Sequence, residues 1–251
     1  MSYEALHEAL TRLRLPTFRQ SFESLARQAE ADHWSFEQYL LTLAQLECQE
    51  RETNRRQRYT RESCLPEHKR LDNFERSRLS RKVNQNVEIL KEGDFLKRHE
   101  NVLAFGNPGT GKTHLLSALG HELIARGNRV YFAPCALFVQ GLLKAKAELK
   151  LSNYLKRLAK FDVVILDDLG YVQQSQEEME VLFTFFAERY ERGSVMVSSN
   201  LPFSQWDKIF KNPVVTAAAV DRLIHHSVIL ELNLTSFRME QAQQKGEKRQ
   251  E

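Results

Sequence analysis

The stretch Gly106-Asn107-Pro108-Gly109-Thr110-Gly111-Lys112-Thr113 follows directly on the apolar run Val102 to Phe105 and leads into His114-Leu115-Leu116. Its spacing is G-x-x-x-x-G-K-[ST]. The glycines are needed because backbone N–H groups must fold around phosphate oxygens with no Cβ in the way. The helix that follows directs its positive end at the same anion. Lys112 is then set to reach the β- and γ-phosphates of a nucleotide, and the Thr113 hydroxyl to ligate Mg²⁺. Strand, loop and helix in this order predict an α/β fold of P-loop NTPase type, with residues 106–114 as the cofactor-binding loop.

Around this loop, short apolar runs alternate with longer helical segments, the pattern of a parallel sheet with crossover helices. Five strands are expected: Val102 to Phe105, Arg129 to Ala133, Val163 to Leu166, Val195 to Ser198 and Val228 to Leu232. Before the fourth, Ser175 and Glu178 have capping-box spacing, Met179, Leu182, Phe183, Phe186 and Tyr190 make one helical face, and Gly193 ends it. The third strand runs into Asp167-Asp168. In a phosphate-loop site, Asp167 is expected to hold the metal and Asp168 to orient or deprotonate the attacking water. The fourth strand ends Ser198-Ser199-Asn200, bringing an amide that could meet the γ-phosphate or the water. Arg222, in Ala219-Val220-Asp221-Arg222-Leu223-Ile224, has two readings. One is an ion pair within the fold, the other an arginine finger reaching the nucleotide of a neighbouring subunit. His225 and His226 read as packing or surface residues.

The first third of the chain is helical. Leu6, Leu10 and Leu13 form one stripe, Leu15-Pro16 interrupts it, and Phe18, Phe22, Leu25 and Ala29 form the next. Ser35-Phe36-Glu37-Gln38 has capping-box form and opens a third helix through Tyr39, Leu40, Leu43 and Leu46. Beyond Cys48 the chain could stay helical but has almost nothing to bury. Leu65-Pro66 ends the pattern, so the expected domains are a small all-helical one over 1–66, an α/β domain over 67–240 and a polar tail over 241–251.

With 42% apolar residues among 251, the chain can bury a core. No apolar run approaches the ~18 residues that span a bilayer, and Met1-Ser2-Tyr3-Glu4 lacks the basic and apolar regions of a signal peptide. Cys48, Cys64 and Cys135 form no C-x-x-C pair, which argues against zinc and disulfides and for a cytoplasmic location without membrane partners. The net charge is only +3, so a nucleic-acid surface must come from local clustering. Residues 51–82 hold eleven basic side chains against five acidic ones, among them Arg51, Arg55, Arg56, Arg58 and Arg61. A second cluster contains Lys144, Lys146, Lys150, Lys156, Arg157 and Lys160, with Glu148 the only acid. Both are candidate phosphate contacts or solvated helix faces. Neither shows the aromatic interleaving of single-strand platforms, which favours duplex DNA read with weak sequence preference.

The order of these motifs resembles the IstB-like helper ATPases of insertion-sequence transposition, an AAA+ branch close to the DnaC helicase loader and the DnaA initiator. The resemblance rests on Leu71-Asp72-Asn73-Phe74, the loop at 106–116, Val163 to Tyr171, Glu188 to Trp206, Ala219 to Ser227 and Ser236-Phe237-Arg238. It implies Lys112 and Thr113 for Walker A, Asp167 and Asp168 for Walker B, Asn200 for sensor 1, Arg222 for the arginine finger and Arg238 as a late arginine near the nucleotide. It further implies ATP and Mg²⁺ as cofactors, ATP-dependent homo-oligomers on duplex DNA, and stimulation of a partner transposase. The cluster at 144–160 would face the axis of the assembly.

Two departures stand out. Asp168 occupies a position where many AAA+ proteins have Glu, which predicts slow intrinsic hydrolysis. The chain also ends soon after Arg238, so no C-terminal lid domain is expected and sensor 2 function is in doubt. The competing functions are a DnaC-like replicative helicase loader, acting on single strands, and a non-catalytic ATP-gated adaptor. The joint presence of Lys112, Asp168 and Arg222 weighs against the adaptor.

Overall fold

The computed structural model describes residues 3–170, 175–202, 205–206 and 222–237. The chain divides into two compact units, Met1–Arg58 and Tyr59–Glu251.

In the first unit α1 (Tyr3–Arg12) and α2 (Pro16–Ala31) are separated at Leu15, with Pro16 at the start of α2, where its missing N–H costs nothing. The third helix, α3 (Phe36–Ser63), begins with the Gln38 amide donating to Ser35 Oγ at 3.2 Å. Leu10, Phe22 and Leu43 form the core, with Leu15, Phe18, Leu25 and Tyr39 packed on it. Leu15 offers no oxygen to cap α2, so a carboxylate from α3 does it. Glu47, 3% exposed, accepts from the amides of Thr17 (2.9 Å) and Phe18 (3.4 Å) and from Arg51 Nε (2.7 Å). Burial alone would raise the Glu47 pKa; Arg51 and the two amides outweigh it and hold the carboxyl below its usual range. The helix continues past Cys48 despite its lack of apolar residues. Pairs four residues apart support that half: Glu47 with Arg51, Glu50 with Asn54, and Glu52 with Arg56.

In the second unit five parallel strands stand in the order β2-β3-β4-β1-β5. They are β1 (Asn101–Phe105), β2 (Val130–Pro134), β3 (Val163–Asp167), β4 (Ser194–Ser199) and β5 (Ser227–Glu231), each within a residue or two of the expected bounds. All register pairs are parallel, Phe105 lying opposite Ser199 and Leu166 opposite Val197. Alternate residues face opposite layers. Leu103, Phe105, Val164, Leu166, Val195 and Val197 pack with α7 (Cys135–Ala147) and α9 (Gln176–Arg189). Val102, Ala104, Val163, Ile165 and Met196 pack with α4 (Arg81–Lys91) and α6 (Lys112–Ala125). Two further short helices are α5 (Asp94–Lys97) and α8 (Leu151–Leu158). Ser175 and Glu178 form the expected capping box, but the buried face of α9 is wider than the spacing suggested. Phe185 belongs to it, edge-on to Phe138 with ring centroids 4.7 Å apart.

At the amino-terminal edge of the sheet, Arg189 is 5% exposed and donates to the carbonyls of Phe161 (2.7 Å), Asp162 (2.9 Å), Ser194 (2.7 Å) and Leu158 (3.4 Å). It stitches the starts of β3 and β4 together. Burial pushes its pKa down to about 10, with Asp162 opposing. Gly193 leaves the room its guanidinium needs, since a Cβ there would sit 2.5 Å from Arg189 Cζ. No helix among the described residues is long and apolar enough to cross a membrane.

Candidate functional site

The loop at 106–111 connects the buried end of β1 to α6. Gly111 has φ +95° and is the N-cap of α6, a conformation that a Cβ would strain, and such a Cβ would lie 2.9 Å from the Phe74 ring. Lys112 is 5% exposed, and its Nζ donates to the carbonyls of Gly106 (2.8 Å) and Asn107 (3.0 Å). Thr110 Oγ1 donates to the Asn107 carbonyl at 2.9 Å. The loop thus folds around its own lysine, with Pro108, Gly109, Thr110, Gly111, Lys112, Thr113 and His114 lining a cleft of about 270 Å³.

β4 stands between β1 and β3 and brings the acids beside the loop. Asp167, 8% exposed, accepts from Ser198 Oγ at 2.6 Å, and the same oxygen accepts from the Asp168 amide at 2.8 Å. Asp168 itself takes φ +59°, a left-handed conformation that Asp tolerates better than most residues, and turns into the cleft wall. Asn200 lines the same cleft, and its Oδ1 is buried without a hydrogen-bond partner. Lys112, Thr113, Asp168 and Asn200 are therefore brought together, while Asp167 lies just behind them. Ser198 was missed by sequence reasoning, although two adjacent hydroxyls at the end of a buried strand were a visible signal.

The rest of the cleft is lined by residues to which the sequence assigned no role in the nucleotide site; Lys69 and Arg78 were counted only within the basic cluster at 51–82. Two short 3₁₀ turns, Leu71–Asn73 and Arg76–Arg78, lay Asn73, Phe74, Glu75 and Arg78 along the cleft, joined by Lys69, Leu234 and Phe237. His114 Nε2 bonds the Arg70 carbonyl at 3.0 Å, and its ring meets Phe74 edge-on at 5.2 Å. One helical stretch further on, His121 Nε2 bonds the Pro66 carbonyl at 3.1 Å. Burial lowers both histidine pKa values against the opposing effect of those carbonyls. Lys69 and His68 add to the lowering at His114, Arg70 at His121.

Arg222 lies elsewhere. It is exposed at the amino-terminal edge of the sheet, around a small recess with Arg98, His99, Glu191 and His226, and it makes no ion pair among the described residues. Arg238 lies outside the described residues, as do residues 239–251, on which the expectations of a polar tail and no lid partly fall. Of the basic residues, Arg51 bonds Glu47 and the Arg14 carbonyl, Arg56 pairs with Glu52, Lys146 with Glu180 at 3.0 Å and Lys150 with Glu148 at 3.0 Å. Arg55 and Arg58 lie exposed on α3, Arg61 near its end, and Lys144 on the last turn of α7. Arg76 pairs with Glu88 and bonds Asn84 Oδ1.

A family model described as IstB-like ATP binding protein matches residues 8–245. The insertion sequence ATP-binding protein y4iQ/y4nD/y4sD of Sinorhizobium fredii is 41% identical over 234 residues, 93% of this chain and 78% of that protein. The insertion sequence IS5376 ATP-binding protein of Geobacillus stearothermophilus is 33% identical over 248 residues, 99% of each. Among solved structures, the DnaC helicase loader aligns with a TM-score of 0.53 at 20% identity, covering 69% of this chain and 98% of that one, which is a likeness of fold.

Proposed function

The chain belongs to the IstB-like ATP binding protein family, and from that premise we propose that it is an Mg²⁺-dependent ATPase that assists insertion-sequence transposition. In this reading it oligomerises with ATP on duplex DNA and stimulates the transposase of its element. The observation that carries the proposal is the convergence of Lys112, Thr113, Asp168 and Asn200 on one cleft. The relatives' similarity extends over nearly the whole chain, helical front included, which favours this role over helicase loading.

The residues fit a nucleotide and its metal. Asn200 Oδ1, buried and unpaired, is an acceptor awaiting a donor such as the attacking water. A hydroxyl and a carboxylate are the hard oxygen ligands that Mg²⁺ takes, and Asp167 keeps its second oxygen clear of Ser198. Mg²⁺ held by Thr113 and Asp167 would neutralise charge on the β- and γ-phosphates. Lys112 would exchange its carbonyl partners for phosphate oxygens, and the loop amides with the α6 N-terminus would complete the cradle. Asp168 would accept the proton of the water that Asn200 orients. Arg222, far from its own cleft edge, would serve the cleft of an adjoining subunit. Arg51, Arg55, Arg56, Arg58 and Arg61 on α3, and Lys144, Lys146 and Lys150, would supply duplex phosphate contacts.

The test is binding to duplex and single-stranded DNA of equal length, with ATP, ADP or no nucleotide, across a salt series and with particle size recorded. ATP-dependent assembly on duplex that weakens steeply with salt is expected from counterion release. Preference for single strands without duplex-bound oligomers would overturn the reading in favour of a helicase loader.

A further inference from the structure

We propose that Arg78 is a positioning residue that gates nucleotide exchange: it clamps the segment after β5, Leu232 to Phe237, against the phosphate loop. The inference rests on the nucleotide reading above and concerns how that site opens.

Three segments remote in sequence meet at this clamp. Arg78, closing the second 3₁₀ turn, donates from Nη2 to the Thr235 carbonyl at 3.0 Å and to Thr235 Oγ1 at 3.2 Å, and its guanidinium lies 5.2 Å from the Phe237 ring centroid. The Phe237 amide in turn donates to the Gly109 carbonyl at 3.1 Å. Ser236 fills the space over Gly109 so closely that a Cβ at position 109 would collide with its hydroxyl. The glycine is needed there for the approach of this segment as well as for its φ of +82°. Arg78, Gly109 and Phe237 all line the one cleft.

The segment that Arg78 holds lies directly on the loop at Gly109, so in this proposal its movement widens the way on to and off the loop, and Arg78 ties it to the 3₁₀ turn. Charge-assisted hydrogen bonds and a cation over an aromatic face are the stronger members of their classes. Arg78 was counted among the basic residues of the 51–82 cluster, but this geometry commits it to the cleft. The clamp consists of protein atoms alone, so it resists opening whether a nucleotide is arriving or leaving. Its removal therefore speeds both processes and changes affinity less than either rate. A lost ligand contact would speed departure only.

The experiment uses the full chain with a fluorescent ADP analogue in stopped flow. Arg78→Ala is expected to raise both association and dissociation rates about tenfold, the factor for one charged hydrogen bond, with Kd changed by less than about threefold. Arg78→Lys, which can keep one bond to Thr235 but not the planar cover of Phe237, should fall between and serves should the alanine variant fail to fold. Hydrogen exchange at the Phe237 amide should quicken in Arg78→Ala with or without nucleotide. Unchanged rates and unchanged Phe237 exchange would overturn the clamp. Faster release with unchanged association would overturn the gate and make Arg78 an ordinary nucleotide contact. If the wild-type chain binds no nucleotide, the functional reading fails and the gate with it, and the exchange experiment identifies that case because Phe237 still responds to Arg78.

Discussion

The two walls of the cleft are built by different rules. One wall is a strand, a glycine loop and a helix, with two acids and an asparagine delivered by neighbouring strand ends; every part has a residue type that its chemistry demands. The other is the irregular chain of residues 69–78 together with Leu234 and Phe237, held by hydrogen bonds to backbone carbonyls. In the nucleotide reading, groups that would meet a phosphate are restricted in kind and spacing, whereas groups that would cover it need only reach. The phosphate wall should therefore carry the large effects on binding and turnover, and the covering wall the small ones.

The largest effect expected is at Asp168. Asp168→Asn keeps the size and the left-handed turn but loses the proton acceptor, so phosphate release should fall by about 10²- to 10⁴-fold while ATP binding persists. Undiminished turnover would remove Asp168 from the mechanism. Next come Lys112 and Phe74, one from each wall. Lys112→Ala removes a charged donor and the internal partner of the loop, and should weaken ATP binding by about a hundredfold or more, the loss of one or two charge-assisted bonds. Phe74→Ala uncovers Gly111 and the edge of His114, and a loss of about tenfold or less is expected from its packing alone. Equilibrium titration of the two variants decides the comparison, and equal losses would break it.

The same contrast explains what could be read in the sequence. The strands, the loop and the helix α9 were legible because periodicity and caps are local, and the bounds of β1 to β5 shifted by no more than a residue or two. Lys112, Thr113, Asp168 and Asn200 were legible as a set because each ends or follows a strand of one parallel sheet. The pairing of Glu47 with the start of α2 was not, since the acid lies about thirty residues beyond the amides it caps. Arg76 and Arg78 were counted as surface charge because a run of basic residues says nothing of Glu88 or Thr235 waiting elsewhere in the chain. Arg189 belonged to a recognisable stretch, yet nothing local to it foretold four carbonyl partners, which only the converging strand starts supply.

The smallest effect expected concerns the anchoring of the covering wall on α6. His114 and His121 hold the carbonyls of Arg70 and Pro66, and burial keeps the pKa of each below the usual 6.5. A histidine whose folded pKa is lowered contributes stability that is fully present above its unfolded pKa and is lost as pH falls through the folded one. Thermal stability should therefore be flat from pH 8 to about 6.5 and decline below that, because protonation places charge beside Lys69 and His68 at one ring and beside Arg70 at the other. Substituting both, His114→Gln and His121→Gln, retains a side-chain donor for each carbonyl but nothing that titrates. The double variant should lose a visible part of the acid slope, with a shift of about 2 °C in the melting temperature on going from pH 7.5 to 5.5. An unchanged slope would mean that the wall is fastened by Phe74 and the packing of Leu65 on Gly120 rather than by the two imidazoles.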